Sequence, residues 1–207
     1  MRSRHIAMSW EAFELLPASP GWKHEYWEGA AHITPRSRFA LMRLALERRD
    51  PGAALPLRAL ADADEAGLVS AYFEAFADTV EYCDWEADAI RRSARENIEA
   101  FCGGGRGDRL AASCLAIDPA VEDPAEGVAG AALLTRPGDG SPLLDMLLVR
   151  PRWQRRGLAT ALLSWSLGEL HLQGDTILRS RYLLANEASR AWHRKLGFAQ
   201  EPDLSSE

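Results

Sequence analysis

Residues 154–159 read QRRGLA, set between LLDMLLVRPRW (143–153) and TALLSWSLGELHLQG (160–174). The first flank is a near-continuous apolar run bounded by Pro142 and Pro151, the pattern of a central strand buried on both faces. The second has helical spacing and closes on Gly174. A strand that turns into a helix points the first helical amides outward, where they lack internal partners and sit at the positive end of the dipole. Such a corner binds anions, phosphate and pyrophosphate above all. Gly157 lets a ligand approach the backbone, Ala159 keeps the first turn slim, and Arg155 and Arg156 can add charge-assisted hydrogen bonds. Alone, the six residues fit a solvated turn equally well. A Walker loop is absent because no Gly-Lys-Ser/Thr occurs, and the dinucleotide pattern GxGxxG is not met.

The rest of the chain narrows the class. Its 207 residues suffice for one ordinary domain and an extension, with the apolar (47%) and charged (26%) content of a globular protein. A formal charge of −6 argues against nucleic acid as a partner. The cations are almost all arginine, with lysine only at Lys23 and Lys195, a bias in keeping with a GC-rich genome. Cys83, Cys102 and Cys114 form no close pair, which speaks against a disulfide framework or zinc site and fits a reducing cytoplasm. No apolar run reaches the roughly 18 residues of a membrane span. MRSRHIAMSW has basic residues without a following apolar region, so it does not read as a secretory signal.

Residues 9–35 stand apart. SWEAFELLP predicts a short helix behind Ser9, stopped by Pro17, and KHEYWEGAAHITP predicts strands at about 23–27 and 30–34 joined by Glu28-Gly29. RSRFALMRLALERRDPG (36–52) shows helical spacing at Phe39, Met42 and Leu46. From residue 56 the predicted order is β, α, α, β, β, β, α, β, α, ending in the helix EASRAWHRKLG (187–197). Domain organisation is therefore an extension over 1–55 (short helix, β-hairpin, helix) packing on a core domain over 56–207.

VRPRWQRRGLATALL (149–163) resembles the acyl-CoA-binding motif of the GNAT superfamily of N-acyltransferases, whose core is Gln/Arg-x-x-Gly-x-Gly/Ala. NEASRAWHRKLGF (186–198) resembles the second signature of the same superfamily, in the right order and about 30 residues downstream. The resemblance covers roughly 56–199. It implies an α/β (α+β) fold with a mixed, splayed β-sheet flanked by helices. It also implies transfer of an acyl group from acetyl-CoA, as co-substrate, to a primary amine by direct attack, with no metal. Leu147 and Val149 would pair with the pantetheine arm, Leu147 or Leu148 would offer an oxyanion donor, and Asn186 would lie beside that arm. Gln154, Arg155, Arg156, Gly157, Leu158, Ala159 and Thr160 would surround the pyrophosphate.

The same resemblance assigns a general base to Asp145, four residues before Val149; a carboxylate within LLDMLLV needs a partner or a cleft. Many relatives carry Tyr seven residues after the Asn, as the acid for the departing thiolate. This chain has His193 there, whose ordinary pKa suits that role or a contact with the sulfur. The acceptor wall would be FADTVEYCDWEADA (76–89). Glu81 and Asp84 there would draw a cationic amine, with Tyr82 and Trp85 as aromatic faces; a solvated acidic helix start accounts for the charges as well. The acceptor would be a small molecule or peptide, without nucleic acid or membrane. A homodimer is open, and so is the alternative of a non-catalytic CoA-binding regulatory or scaffold protein.

The termini depart from the family pattern. After LGF only AQEPDLSSE remains, too little for the two closing strands of typical relatives, so something should cover the edge of strand 176–185. The 23–34 hairpin is expected to dock there, in its own subunit or swapped. That hairpin, WKHEYWEGAAHITPR, also resembles the opening of Uma-type restriction-endonuclease-like proteins. Their core needs an acidic residue two before a Lys, and here Gly21 and His193 hold those positions, which excludes a nuclease. His24 and His32 read as hairpin-face or surface residues rather than metal ligands.

Overall fold

The run 143–149 forms the strand around which everything else is arranged. The computed structural model describes residues 3–47, 50, 52 and 54–202. In chain order its strands are β1 (Arg4–Ala7), β2 (Trp22–Trp27), β3 (Ala30–Pro35), β4 (Phe39–Ala45), β5 (Leu57–Ala59), β6 (Asp108–Arg109), β7 (Cys114–Ile117), β8 (Val128–Arg136), β9 (Leu143–Val149), β10 (Ile177–Leu183) and β11 (Ala199–Gln200). Its helices are α1 (Trp10–Glu14), α2 (Glu65–Phe76), α3 (Ala87–Cys102), α4 (Pro124–Gly127), α5 (Leu158–Leu172) and α6 (Glu187–Lys195).

The main sheet has the order β11-β4-β10-β9-β8-β7-β5, with β6 beside β8. β9 and β10 run parallel because α5 carries the chain across one face between them; the other pairings are antiparallel. On one face Leu144 and Val149 pack with Leu162, Leu163 and Leu167 of α5. On the other, Met146 and Leu148 pack with Leu68 of α2 and Ile98 of α3. β9 is thus buried on both sides, as its composition predicts. The mixed sheet, flanked by helices on both faces, is the fold class expected.

The stretch 36–52 is corrected: residues 39–45 form a strand, not a helix, and residues 48, 49, 51 and 53 lie outside the described ones. Ala40, Met42 and Leu44 are buried and Phe39, Leu41, Arg43 and Ala45 exposed, a period of two that the apolar content on both faces had hidden. All seven residues of β4 pair antiparallel with β10, from Phe39 opposite Leu183 to Ala45 opposite Ile177. The other edge of β4 receives β11. The exposed edge does acquire a cover from the N-terminal segment, but the cover is β4 and not the 23–34 hairpin. A strand with seven backbone positions free to pair is a stronger claimant on that edge than a hairpin already satisfied by its own partner.

The hairpin instead belongs to a small second sheet, β1-β3-β2, with Glu28 and Gly29 both at positive φ in its turn. α1 forms where expected, with the Ser9 hydroxyl accepting from the Ala12 amide. This sheet leans on the loop after β10. A Cβ at Gly21 would stand 2.5 Å from the Ala185 nitrogen, so only glycine allows this approach. Trp22 packs on Val80, Leu183 and Ala185.

Met42→Ala and Leu44→Ala should each cost about 2–5 kcal/mol, while Leu41→Ala on the exposed face should stay within about 0.5 kcal/mol. Urea-unfolding midpoints of the three variants check this, and equal costs would overturn the register of β4.

Candidate active site

β9 and β10 pair over only two positions, Arg179 with Leu143 and Ser180 with Leu144. Beyond them β10 goes on pairing with β4 and β9 with β8, so the two strands part and open a wedge. Residues 145–149 therefore have a ladder on the β8 side alone. At the parting point the β8–β9 register slips: Leu133 faces Met146 and Leu134 faces Leu144, which leaves Asp145 as a bulge. A bulge bends its strand and re-aims the extra side chain. Asp145 and Met146 consequently point to the same face, toward α2 and α3.

The far end of the wedge meets the start of α5. Residues 151–153 make one tight turn, Arg155 lies at φ 61° and Gly157 at φ 83° as the N-cap of α5. Because that cap is glycine, no side chain closes over the first amides of the helix. The Gln154 amide donates to the Val149 carbonyl (3.0 Å), which ties the loop back to β9. Arg155 and Arg156 are exposed, the latter with its guanidinium 5.3 Å from the Trp153 ring centroid. Leu158 is buried in the core, and Ala159 and Thr160 are half-buried on the first turn. Leu148 is also buried, while Leu147 packs at the core's margin. The cradle residues read from sequence thus stand together at the end of the wedge.

Arg150, which sequence reasoning passed over, holds this corner. It is 1% exposed. Its Nε donates to the Val128 carbonyl (2.7 Å), its Nη2 to Ser70 Oγ (3.0 Å) and the Ala125 carbonyl (3.2 Å), and its Nη1 to Glu126 (3.1 Å) and Glu74. One guanidinium joins β8, α2, α4 and the loop. An arginine beside Pro151 in an arginine-rich chain carries no sequence signal that separates it from its neighbours.

The residues expected to move protons are already engaged. Asp145 is bidentate with Arg106, Nε to Oδ2 at 2.5 Å and Nη2 to Oδ1 at 2.8 Å, and its side chain is 2% exposed. The hydrogen bond to Asp145 raises the pKa of Arg106 further above its usual range, so the guanidinium stays charged. Arg106 also donates to Asn97 (3.0 Å), and Asn97 to Ser93 (3.1 Å). The Tyr82 hydroxyl bonds to Ser93 (2.7 Å) and Tyr72 (2.9 Å). Burial raises the Tyr72 phenol. Tyr82 is therefore buried within this polar chain and does not line the groove expected of it.

His193 lies across the sheet from Asp145, buried to 3% exposure between α6 and β10. Its Nδ1 donates to the Ser189 carbonyl (2.8 Å), so Nε2 accepts from the Ser180 hydroxyl (2.9 Å). Tyr182, Trp192 and Phe198 surround the ring. Burial holds its pKa below the ordinary 6.5, against the smaller, opposite effect of the Ser189 bond.

Three of the acceptor candidates do come together. Glu81, Asp84 and Trp85 line an open groove of about 360 Å³ whose opposite wall is the N-terminal segment, with Arg36 and Phe39. Asp84 accepts from the Ser3 amide (2.9 Å) and hydroxyl. Glu81 Oε1 accepts from Asn186 Nδ2 (2.6 Å), and Asn186 Oδ1 caps α6 at the Ser189 amide (2.9 Å). Glu81 Oε2 is buried and has no hydrogen-bond partner among the described residues. Among those residues no group of three or more His, Cys, Asp or Glu could hold a metal, and no helix is long and apolar enough to cross a membrane.

Residues 120–200 match the family described as an acetyltransferase (GNAT) domain. Over that stretch the chain is similar to GNAT acetyltransferase domains. Within it lie the wedge between β9 and β10, the cradle and α6; β4 and the groove's N-terminal wall lie outside. The chain's fold is similar to the PaiA N-acetyltransferase of Thermoplasma acidophilum, solved with coenzyme A (17% identity, 74% of this chain and 95% of that one, TM-score 0.60). It is also similar to an aminoglycoside 6′-N-acetyltransferase of Acinetobacter haemolyticus (16% identity, 74% and 97%, TM-score 0.51). Against a GCN5-related N-acetyltransferase of Sphaerobacter thermophilus (21% identity, 79% of this chain, TM-score 0.49) it spans about half of that protein, 48%. No curated protein matches the sequence. At these identities the likenesses to the PaiA and aminoglycoside enzymes establish the fold alone. GNAT acetyltransferases use acetyl-CoA as acyl donor.

The unfolded chain binds a proton that buried His193 refuses, so neutral His193 contributes fully above about pH 6.5, and the contribution is lost as pH falls below it. Between about pH 7 and pH 5.5 the protein should lose more stability than its His193→Gln variant. Denaturant titrations across that range check the difference in slope.

Proposed function

We propose that this protein transfers an acetyl group from acetyl-CoA to a primary amine by direct attack, with the amine seated at Glu81. The observation that carries the reading is the wedge: β9 bares its backbone edge where β10 leaves it, and the uncapped start of α5 stands at its end. An extended pantetheine arm with two amides suits a bare strand edge, and a pyrophosphate suits open helical amides beside Arg155 and Arg156. Leu147, Leu148, Val149, Gln154 to Thr160 and Asn186 are the residues this assigns to the donor.

The chemistry needs a site for the ammonium and somewhere for its protons. A nitrogen–carbon bond forms as the carbon–sulfur bond breaks. The ammonium gives up one proton before attack and another as the amide forms; one neutralises the thiolate and the other leaves to solvent. Asp145 is a poor acceptor for either, because both of its oxygens are bound to Arg106. Glu81 Oε2 has a lone pair to spare, and an ammonium there would supply its missing donor. In this reading His193 shapes the wall beneath β10 and Asp145 fixes the bulge, so neither transfers the proton.

With acetyl-CoA and a panel of primary amines the protein should release free thiol, read with a thiol reagent. Glu81→Gln keeps an acceptor for Asn186, and it should lower kcat/KM for the amine by about 100-fold with coenzyme A affinity unchanged. Calorimetric binding of coenzyme A without turnover of any amine would leave the scaffold reading. No binding would end both.

A further inference from the structure

The helices α2 and α3 cover β7, β8 and β9 but stop short of β4 and β10, whose outer face is open. On it Phe39 (55%), Leu41 (51%) and Ile177 (42%) are exposed beside Arg43, Arg179 and Arg181. Arg179 is satisfied by Glu201 (3.1 Å) and Asp139. Arg181 is not. Its closest carboxylate is Asp145 Oδ1 at 3.8 Å, beyond hydrogen-bond distance, and that oxygen already accepts from Arg106 at 2.8 Å. Two guanidiniums converge on one carboxylate at the bulge, which leaves a unit of positive charge without its own counterion. Among the described residues Arg181 makes no hydrogen bond, and its side chain is 45% exposed.

This charge borders the groove that ends at Glu81. The Arg181 guanidinium stands 5.7 Å from the ring centroid of Phe39, which lines the groove, and Leu183, two residues along the same face, lines it too. The groove therefore has a buried carboxylate oxygen without a partner on one wall, and a planar, five-donor cation without a hydrogen bond beside its lining residue Phe39. We propose that the acceptor is a zwitterion: a small amine that carries its own carboxylate, an amino acid or a close analogue, with the ammonium on Glu81 and the carboxylate on Arg181. The proposal deepens the acyl-transfer reading and rests on it. The other charges facing the groove fit this division. Asp84 is taken by Ser3, and Arg36 holds the Trp22 carbonyl through Nε (3.1 Å) at the rim. A simple cationic amine would leave Arg181 unpaired and would feel its repulsion, so the site selects against it as well as for the zwitterion.

The test compares matched acceptors by thiol release from acetyl-CoA: free amino acids, their amides and their decarboxylated amines. The carboxylated member should lead by at least about 10-fold in kcat/KM. Arg181→Gln should bring the ratio close to one through KM for the acceptor, with KM for acetyl-CoA unchanged, and Arg181→Lys should restore part of it. Equal turnover of the matched members overturns the proposal. So does a preference that survives Arg181→Gln or falls only in Arg36→Gln. If no amine is turned over, the acyl-transfer reading fails by itself, and calorimetry on the coenzyme A-loaded protein decides this one. Binding confined to the carboxylated member and lost in Arg181→Gln supports it, and its absence overturns it.

Discussion

Two residues of parallel pairing, and no more, between β9 and β10 set up every feature of the site. A sheet that stayed zipped would spend the backbone groups of 145–149 on its own ladder, leaving nothing for a ligand to pair with. A sheet that parted without support would expose unpaired edges to water and to other chains. Here the parting is stabilised on both sides. β8 holds one edge of β9 through six positions, and β4 holds the outer edge of β10 through seven. The opening costs little because each strand keeps a complete partner elsewhere.

That dependence explains the weight of β4. It comes from the N-terminal segment and completes a sheet whose remaining strands all come from residues 57 onward. β4 also delivers Phe39 and, just before it, Arg36 to the groove, while Gly21 and Trp22 brace the loop at Ala185. The segment thus completes the sheet and forms one wall of the groove at the same time. The GNAT match, over residues 120–200, contains the wedge and the start of α5 and leaves out β4 and the groove's N-terminal wall.

Buried polar groups divide the labour between structure and chemistry. Asp145, Arg106, Asn97, Ser93, Tyr82 and Tyr72 satisfy one another in a continuous chain, and Arg150 is satisfied by five partners. Such groups stabilise a geometry and have little left to offer a substrate. Among the described residues, the buried Glu81 Oε2 and the exposed Arg181 guanidinium both border the groove without a hydrogen-bond partner. In the proposed reading, chemistry that residue types alone would assign to Asp145 and His193 falls, once partners are counted, to Glu81.

The sequence by itself determined the central strand, the turn into α5 with its glycine cap, the order of the longer elements after residue 56 and the second signature on α6, but not the short β6, α4 and β11. These are local: an apolar run, a periodicity and short spacings that state their physics without the rest of the chain. It also located α1 and the hairpin, expected at 23–34 and found at 22–35, through a cap and a turn. Only the tertiary structure decided that 39–45 is a strand, since apolar residues on both faces imitate a helix until one face meets α5 and the other meets solvent. Only the tertiary structure showed that Asp145 is held by Arg106, 39 positions away, and that His193 is buried against Ser180. Whether a titratable side chain is free or spent depends on what distant segments bring to it, and no spacing along the chain records that.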